Sequence, residues 1–184
     1  MAEPLRIACL VGSLRKDSYN RRLARAIESL AGDRLAFTHC ALADLPHYNQ
    51  DDDANMPAAS LRLKSELDAA QGILVVTPEY NRGVPGVLKN AIDIASRPYG
   101  KNSFARKPVA TAGISVGPIG TATAQQPLRS MLLYLDAAVL GQPEIYMHWK
   151  DGLIDENGRV GVPDTEAFLR KFVDRFADWV ERHA

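Results

Sequence analysis

Cysteine is scarce in this chain of 184 residues: Cys9 and Cys40 are the only two. Each sits in an apolar run, so buried thiols are expected rather than a disulfide. Neither has the C-x-x-C partner that zinc and redox motifs require. The four histidines, His39, His47, His148 and His183, are scattered without ligand spacing, so no metal centre is expected. No apolar run approaches the roughly 18 residues of a membrane span. Met1-Ala2-Glu3-Pro4 leads into a strand rather than a signal peptide, and the chain reads as cytoplasmic. Neither charge sign is in excess, with 22 Lys plus Arg against 22 Asp plus Glu. That balance carries no footprint for nucleic acid or an anionic membrane. Two signatures are also missing. Without G-x-x-x-x-G-K-[ST] there is no Walker loop, and without G-x-G-x-x-G no dinucleotide crossing the sheet.

Apolar residues make up 46% of the chain, enough for a sizeable core in one domain spanning residues 1–184. Strand-like runs occur at Leu5–Val11, Leu35–Cys40, Gly72–Val76 and Pro108–Ile114, with a fifth within Ala137–Ile145. Helical spacing follows each of them. Leu23, Ala24, Ile27, Leu30 and Ala31 share one face before a stop at Gly32. Ser60 is placed to cap a helix running to Ala70. A third helix ends near Ser96-Arg97-Pro98, and a fourth spans about Ala122 to Leu135. The last is the clearest amphipath, with Phe168, Leu169, Phe172, Val173, Phe176, Trp179 and Val180 on one face. Asn157-Gly158 signals a type I′ hairpin. The aspartate run at Asp51–Asp53 reads as a solvated loop, because Ca²⁺ loops need regular spacing and a closing Glu. Alternating strands and helices predict a three-layer, doubly wound α/β fold around a five-stranded parallel sheet. One common order is 2-1-3-4-5, with its ligand crevice at the switch between strands one and three.

The distinctive loops follow strands one, three and four, so in that order they converge. Gly12-Ser13-Leu14-Arg15, with Ser18 and Asn20, offers hydroxyls, an amide and a fixed cation beside a helix start. Such a spot attracts a phosphate, and a lone phosphate points to a mononucleotide. Simple helix capping is the other reading of Ser13 and Ser18. Thr77-Pro78-Glu79-Tyr80-Asn81 is stiffened by proline and suits a flat ring with hydrogen-bonding edges, such as an isoalloxazine. In Ser115 to Thr121, Gly117 and Gly120 permit close backbone approach, and the following helix start can stabilise charge at the far ring edge. An ordinary turn is the alternative there. Ser115 as a nucleophile has no histidine placed to serve it. A phospho-acceptor domain would carry acids after strand one, where this chain reads Gly-Ser-Leu-Arg.

Gly12-Ser13-Leu14-Arg15-Lys16-x-Ser18-x-Asn20, Thr77–Asn81 and the run from Pro85 through Asp93 to Ser96-Arg97-Pro98 resemble the NADPH-dependent FMN reductase family. The nearer likeness is to its quinone- and chromate-reducing branch, over almost the whole chain. The resemblance implies a flavodoxin-like fold, bound FMN, and NADPH or NADH as co-substrate. It implies two-electron reduction of small-molecule acceptors: quinones, azo dyes, metal oxyanions or free flavin. It places Ser13, Arg15, Ser18 and Asn20 in the phosphate loop, with Tyr19 also a cofactor-binding candidate. Pro78, Glu79, Tyr80 and Asn81 fall in the flavin-ring loop, and Ser115 and Gly117 in the third. No side chain is expected to act as acid or base, since the flavin carries the chemistry. Arg82, beside the ring loop, is the substrate-binding candidate for a nucleotide phosphate or anionic acceptor, with a plain surface arginine as the alternative. Ping-pong kinetics are expected. An electron carrier without NAD(P)H oxidation is the competing reading, weakened by the neutral charge balance. Family members commonly form dimers or tetramers. Met131–Leu135, apolar nearly all round, is expected to meet a second subunit or else an overlying loop.

Overall fold

The β-branched and aliphatic runs become strands, and each amphipathic stretch between them becomes a helix laid on the sheet. The computed structural model describes residues 3–183. The strands are β1 (Leu5–Val11), β2 (Leu35–His39), β3 (Gly72–Val76), β4 (Pro108–Ser115), β5 (Ala138–Val139) and β6 (Ile145–His148). The helices are α1 (Tyr19–Ala31), α2 (Ala58–Ala69), α3 (Gly86–Ala95), α4 (Ala122–Tyr134) and α5 (Pro163–His183). All pairings are parallel, in the order β2-β1-β3-β4-β5, with β6 also on β4. This is the doubly wound, flavodoxin-like order. Cys9 of β1 lies between His39 of β2 and Leu74 of β3.

Period-2 alternation divides the core between the two faces of the sheet. Ile7, Cys9, Leu74 and Val76 pack with α1 and α5, including Leu23, Ile27, Phe172 and Phe176. Ala8, Leu10, Ile73 and Val75 pack with α2, α3 and α4, including Leu63, Leu88, Ile92 and Leu128. β3 is buried at every position, as a central parallel strand must be. No helix of the described residues is long and apolar enough to cross a membrane.

Four local expectations are corrected. The run from Ala137 to Ile145 is not one strand. From Val139 to Ile145 the outer track advances six residues, while their partners Val109 and Ala112 are three apart. Gly141-Gln142-Pro143 forms the excursion, and proline cannot donate to a ladder. Ser60 is not a cap: Pro57 stands at the N-cap and its carbonyl accepts from Leu61, which leaves Ser60 buried in the first turn. The Asn157-Gly158 turn is not type I′. Of the two, only Gly158 has positive φ (86°), the Gly158 N–H donates to Asp155 O, and Asp155 Oδ1 accepts from Asn157 and Arg159. That is a type I turn closed by a left-handed glycine. On α5, Phe168 faces solvent, while Leu169, Phe172, Val173, Phe176 and Val180 are buried. Trp179 is half-buried and its Nε1–H donates to Ala138 O at 2.8 Å.

Candidate flavin site

β1, β3 and β4 are neighbours, so the loops at their carboxyl ends meet. The crevice between them, of about 150 Å³, is lined by Ser13, Arg15, Ser18, Tyr19 and Asn20 from the first loop. Pro78, Glu79 and Tyr80 come from the second, and Ile114, Ser115 and Val116 from the third. Asn81, Arg82 and Gly117, singled out from the sequence, do not line it. Asn81 and Arg82 form the tip of a turn, with the Arg82 side chain 67% exposed. Val116 lines the crevice in place of Gly117.

In the first loop, Gly12 N–H donates to Val76 O (2.9 Å), which carries β1 one step beyond its ladder. Ser18 caps α1, its Oγ accepting from Arg21 N–H at 3.3 Å. The first turn of α1 contains no acidic residue, so its positive end is not neutralised from within. The N–H groups of Leu14 and Arg15 meet no acceptor among the described residues. The Arg15 guanidinium lies 4.6 Å from the Tyr19 ring centroid, and Tyr19 stacks on Trp149 at 3.9 Å. Arg22 closes the stack over Trp149 at 5.5 Å. Free donors, an unneutralised helix start and a buttressed cation fit a phosphate.

Asn20 does something the sequence does not disclose. Its Nδ2 donates to Ile114 O (2.9 Å) and its Oδ1 accepts from Ile114 N–H (3.0 Å). Two residues earlier, Ala112 O accepts from Thr77 N–H at the end of β3. Alternation turns Ile114 to the same side, where β3 has run out. The Asn20 carboxamide therefore replaces the missing peptide group and ties the first loop to the third. One of the amide's two N–H groups is used there, and Asn20 also lines the crevice.

In the second loop, Tyr80 and Gly83 exchange both backbone hydrogen bonds (3.1 and 2.9 Å) around Asn81 (φ 52°) and Arg82 (φ 62°). Two left-handed central residues make a type I′ turn. Asparagine tolerates that conformation; arginine at the second position does so at a cost of about 1–2 kcal/mol. Glu79, with a side chain only 9% exposed, sets one oxygen 3.3 Å from Arg82 Nη1 and accepts from Ala124 N–H with the other at 3.2 Å. Ala124 is the third residue of α4, whose N-cap Thr121 makes no side-chain cap bond. Glu79 thus caps α4 from across the crevice. The start of α4, expected to face the far ring edge, is already met by this carboxylate. In the third loop Ser115 Oγ accepts from Gly117 N–H at 3.0 Å. A Cβ at Gly113 would collide with Thr121 Oγ1 and Thr77 O, so glycine there lets α4 and β3 close on β4.

Ile114, Val116 and Trp149 were not singled out from the sequence. Val116 carried a weak signal, standing inside the third Gly/Pro loop. Trp149 carried none: β6 brings it here, through Trp149 N–H donating to Ser115 O at 2.8 Å. Burial pushes the Cys40 thiol up to about 12 and Cys9 further, so neither offers a thiolate at neutral pH.

A phosphate cradle and a stiff ring slot at the switch point of a 2-1-3-4-5 sheet define a flavodoxin-like flavoprotein. The family model for NADPH-dependent FMN reductase matches residues 5–151. A 2-hydroxy-1,4-benzoquinone reductase from Burkholderia sp. is 47% identical over 96% of both chains. A quinone reductase from Pseudomonas putida is 43% identical over 98% of this chain and 97% of its own. Among solved structures, the NAD(P)H:(acceptor) oxidoreductase FerB from Paracoccus denitrificans superposes with a TM-score of 0.94 at 45% identity, covering 97% and 98% of the two chains. The chain belongs to the NADPH-dependent FMN reductase family. It is an oxidoreductase with FMN as cofactor and NAD(P)H as co-substrate.

Proposed function

We propose that the chain is an NAD(P)H:quinone oxidoreductase that works by ping-pong exchange at one site within a single flavin-binding domain, residues 1–184. Quinones are its main acceptors, by likeness to the relatives named above. Chromate, azo compounds and free flavin belong to the same acceptor range. The observation that carries the reading is the convergence of three loops on one crevice, with free N–H donors and Arg15 at one end and a rigid turn at the other.

Bound FMN supplies two-electron chemistry between nicotinamide and acceptor. The chain's own residues hold and orient. The N–H groups of Leu14 and Arg15, the Ser13 and Ser18 hydroxyls and the Arg15 guanidinium take the phosphate. Tyr19 steadies Arg15, and Asn20 holds the first loop against the third. Pro78, Glu79 and Tyr80 border the ring on one side, Ser115 and Val116 on the other. Asn81 shapes the turn, and the backbone at Gly117 fixes the Ser115 hydroxyl. Arg82, exposed above Glu79, meets the anionic part of co-substrate or acceptor.

Leu133 (63% exposed) and Tyr134 (89%) stand uncovered on α4, which supports a homodimer or homotetramer. The assigned compartment is the cytoplasm. The purified protein should carry a flavin spectrum, release FMN by mass, and oxidise NAD(P)H with a quinone. Double-reciprocal plots at several quinone concentrations should be parallel; intersecting lines reject ping-pong exchange, and absence of NAD(P)H oxidation rejects the enzyme in favour of a carrier.

A further inference from the structure

On the β2 side of β1 lies a second cavity, of ≈ 450 Å³, which the flavin reading does not use. That is the size of a small-ligand pocket. It shares Ser13 with the crevice, so the two adjoin at the phosphate end. Leu14 and Leu42 give it apolar walls. At its rim Glu28 and His39 are hydrogen-bonded at 2.8 Å. Arg21 and Arg25 of α1 also line it.

The arginines of α1 separate into two kinds. Arg22 Nη1 donates to Ile154 O and its guanidinium lies over Trp149; Arg25 Nη1 donates to Glu156 O at 2.6 Å. Arg21 is half-buried, and its guanidinium has no hydrogen-bond or ion-pair partner among the described residues. A partly desolvated guanidinium facing a cavity calls for an anion. The apolar walls call for a flat, non-polar body attached to that anion. Glu28 offers an acceptor for an amino group.

We propose that this cavity binds an adenylate, with its phosphate on Arg21 and its purine between Leu14 and Leu42. Two molecules present that chemistry: the AMP half of FAD, joined through the phosphate end at Ser13, and the adenylate half of NAD(P)H. The joining at Ser13 rests on the flavin reading above; the binding of adenylate itself does not.

Calorimetric titration of the FMN-loaded protein with 5′-AMP and 2′,5′-ADP tests it. Saturable one-site binding is expected. Arg21→Gln should weaken it about tenfold, the worth of one charge-assisted hydrogen bond, and Arg21→Glu should weaken it further. Flavin content and melting temperature report that both variants remain folded. Two further arms separate the sources. If FAD is the occupant, FMN-free protein binds FAD more tightly than FMN, and Arg21→Gln removes the difference. If NAD(P)H is, the two flavins bind alike, and Arg21→Gln raises the KM for NAD(P)H without lowering kcat. No adenylate binding at millimolar concentration, or an affinity unchanged in Arg21→Gln, overturns the proposal. That failure in a protein that holds FMN and oxidises NAD(P)H leaves the functional reading intact.

Discussion

Replacing Asn20 with alanine tests how the crevice is held together. The carboxamide makes two hydrogen bonds to one residue, and Ile114 is 1% exposed. Alanine removes both partners and leaves a buried N–H and a buried C=O unpaired. Each unsatisfied group costs about 1–3 kcal/mol. Water entering from the adjoining crevice offsets part of that, so the expected loss is about 2–4 kcal/mol. Against a total stability of about 5–15 kcal/mol this is large. Urea denaturation of the FMN-free protein should show a lower midpoint at unchanged slope. Asn20→Asp should be no better, because a carboxylate accepts from Ile114 N–H but sets a second acceptor against Ile114 O. FMN affinity should fall with stability, since the first and third loops lose their tie. A variant that loses FMN affinity at wild-type stability would mean that the amide serves the phosphate directly. The account of Asn20 as a surrogate strand would then be wrong.

Arg82→Gly relieves a left-handed arginine and should raise stability by about 1 kcal/mol, since the exposed pair with Glu79 contributes little; a lower melting temperature contradicts this. Trp149→Ala removes the ring beneath Tyr19 and should weaken FMN binding about three- to tenfold, the range of an aromatic pair; titration calorimetry with unchanged affinity would show that Arg15 needs no support. Lys64 is buried, its Nζ donating to Ala95 O (3.1 Å), Lys101 O (2.6 Å) and Ser103 Oγ (3.0 Å), and burial lowers its pKa. A lowered lysine pKa makes the charged form a cost that is full below the folded value and gone above the unfolded one. The stability of wild type relative to Lys64→Met should therefore rise with pH across that alkaline window, and a flat difference would contradict the burial argument.

Where the fold depended on runs and spacing, it was legible. Gly72–Val76 is apolar throughout because a central parallel strand has two buried faces, and Gly32 ends α1 with φ of 53° where a stop was expected. The second and third loops stood out by their prolines and glycines, and the first by its serines, Arg15 and Asn20 beside a helix start. What escaped were effects that need a distant partner. Asn20 and Ile114 are 94 residues apart, and Glu79 and Ala124 are 45 apart. No local pattern announces either pairing. The break between β5 and β6 is set by the register against β4, which periodicity within one segment cannot reveal. Asn157-Gly158 was recognised as a turn and misassigned in type, because turn class depends on how the flanking strands meet.

The two long-range pairs explain why a site made of loops can be rigid. Binding a flat cofactor between mobile loops would cost ordering entropy at every encounter. Here the first loop is bound to the third through Asn20, and the second is bound to the start of α4 through Glu79. Each tie uses a side-chain amide or carboxylate in place of a backbone partner, at the point where a strand or helix ends and leaves a group unpaired. The same bonds thus satisfy the ends of β4 and α4 and fix the walls of the crevice. Stability and preorganisation are coupled at Asn20 and Glu79, so a substitution that loosens the site there must also lower the free energy of unfolding.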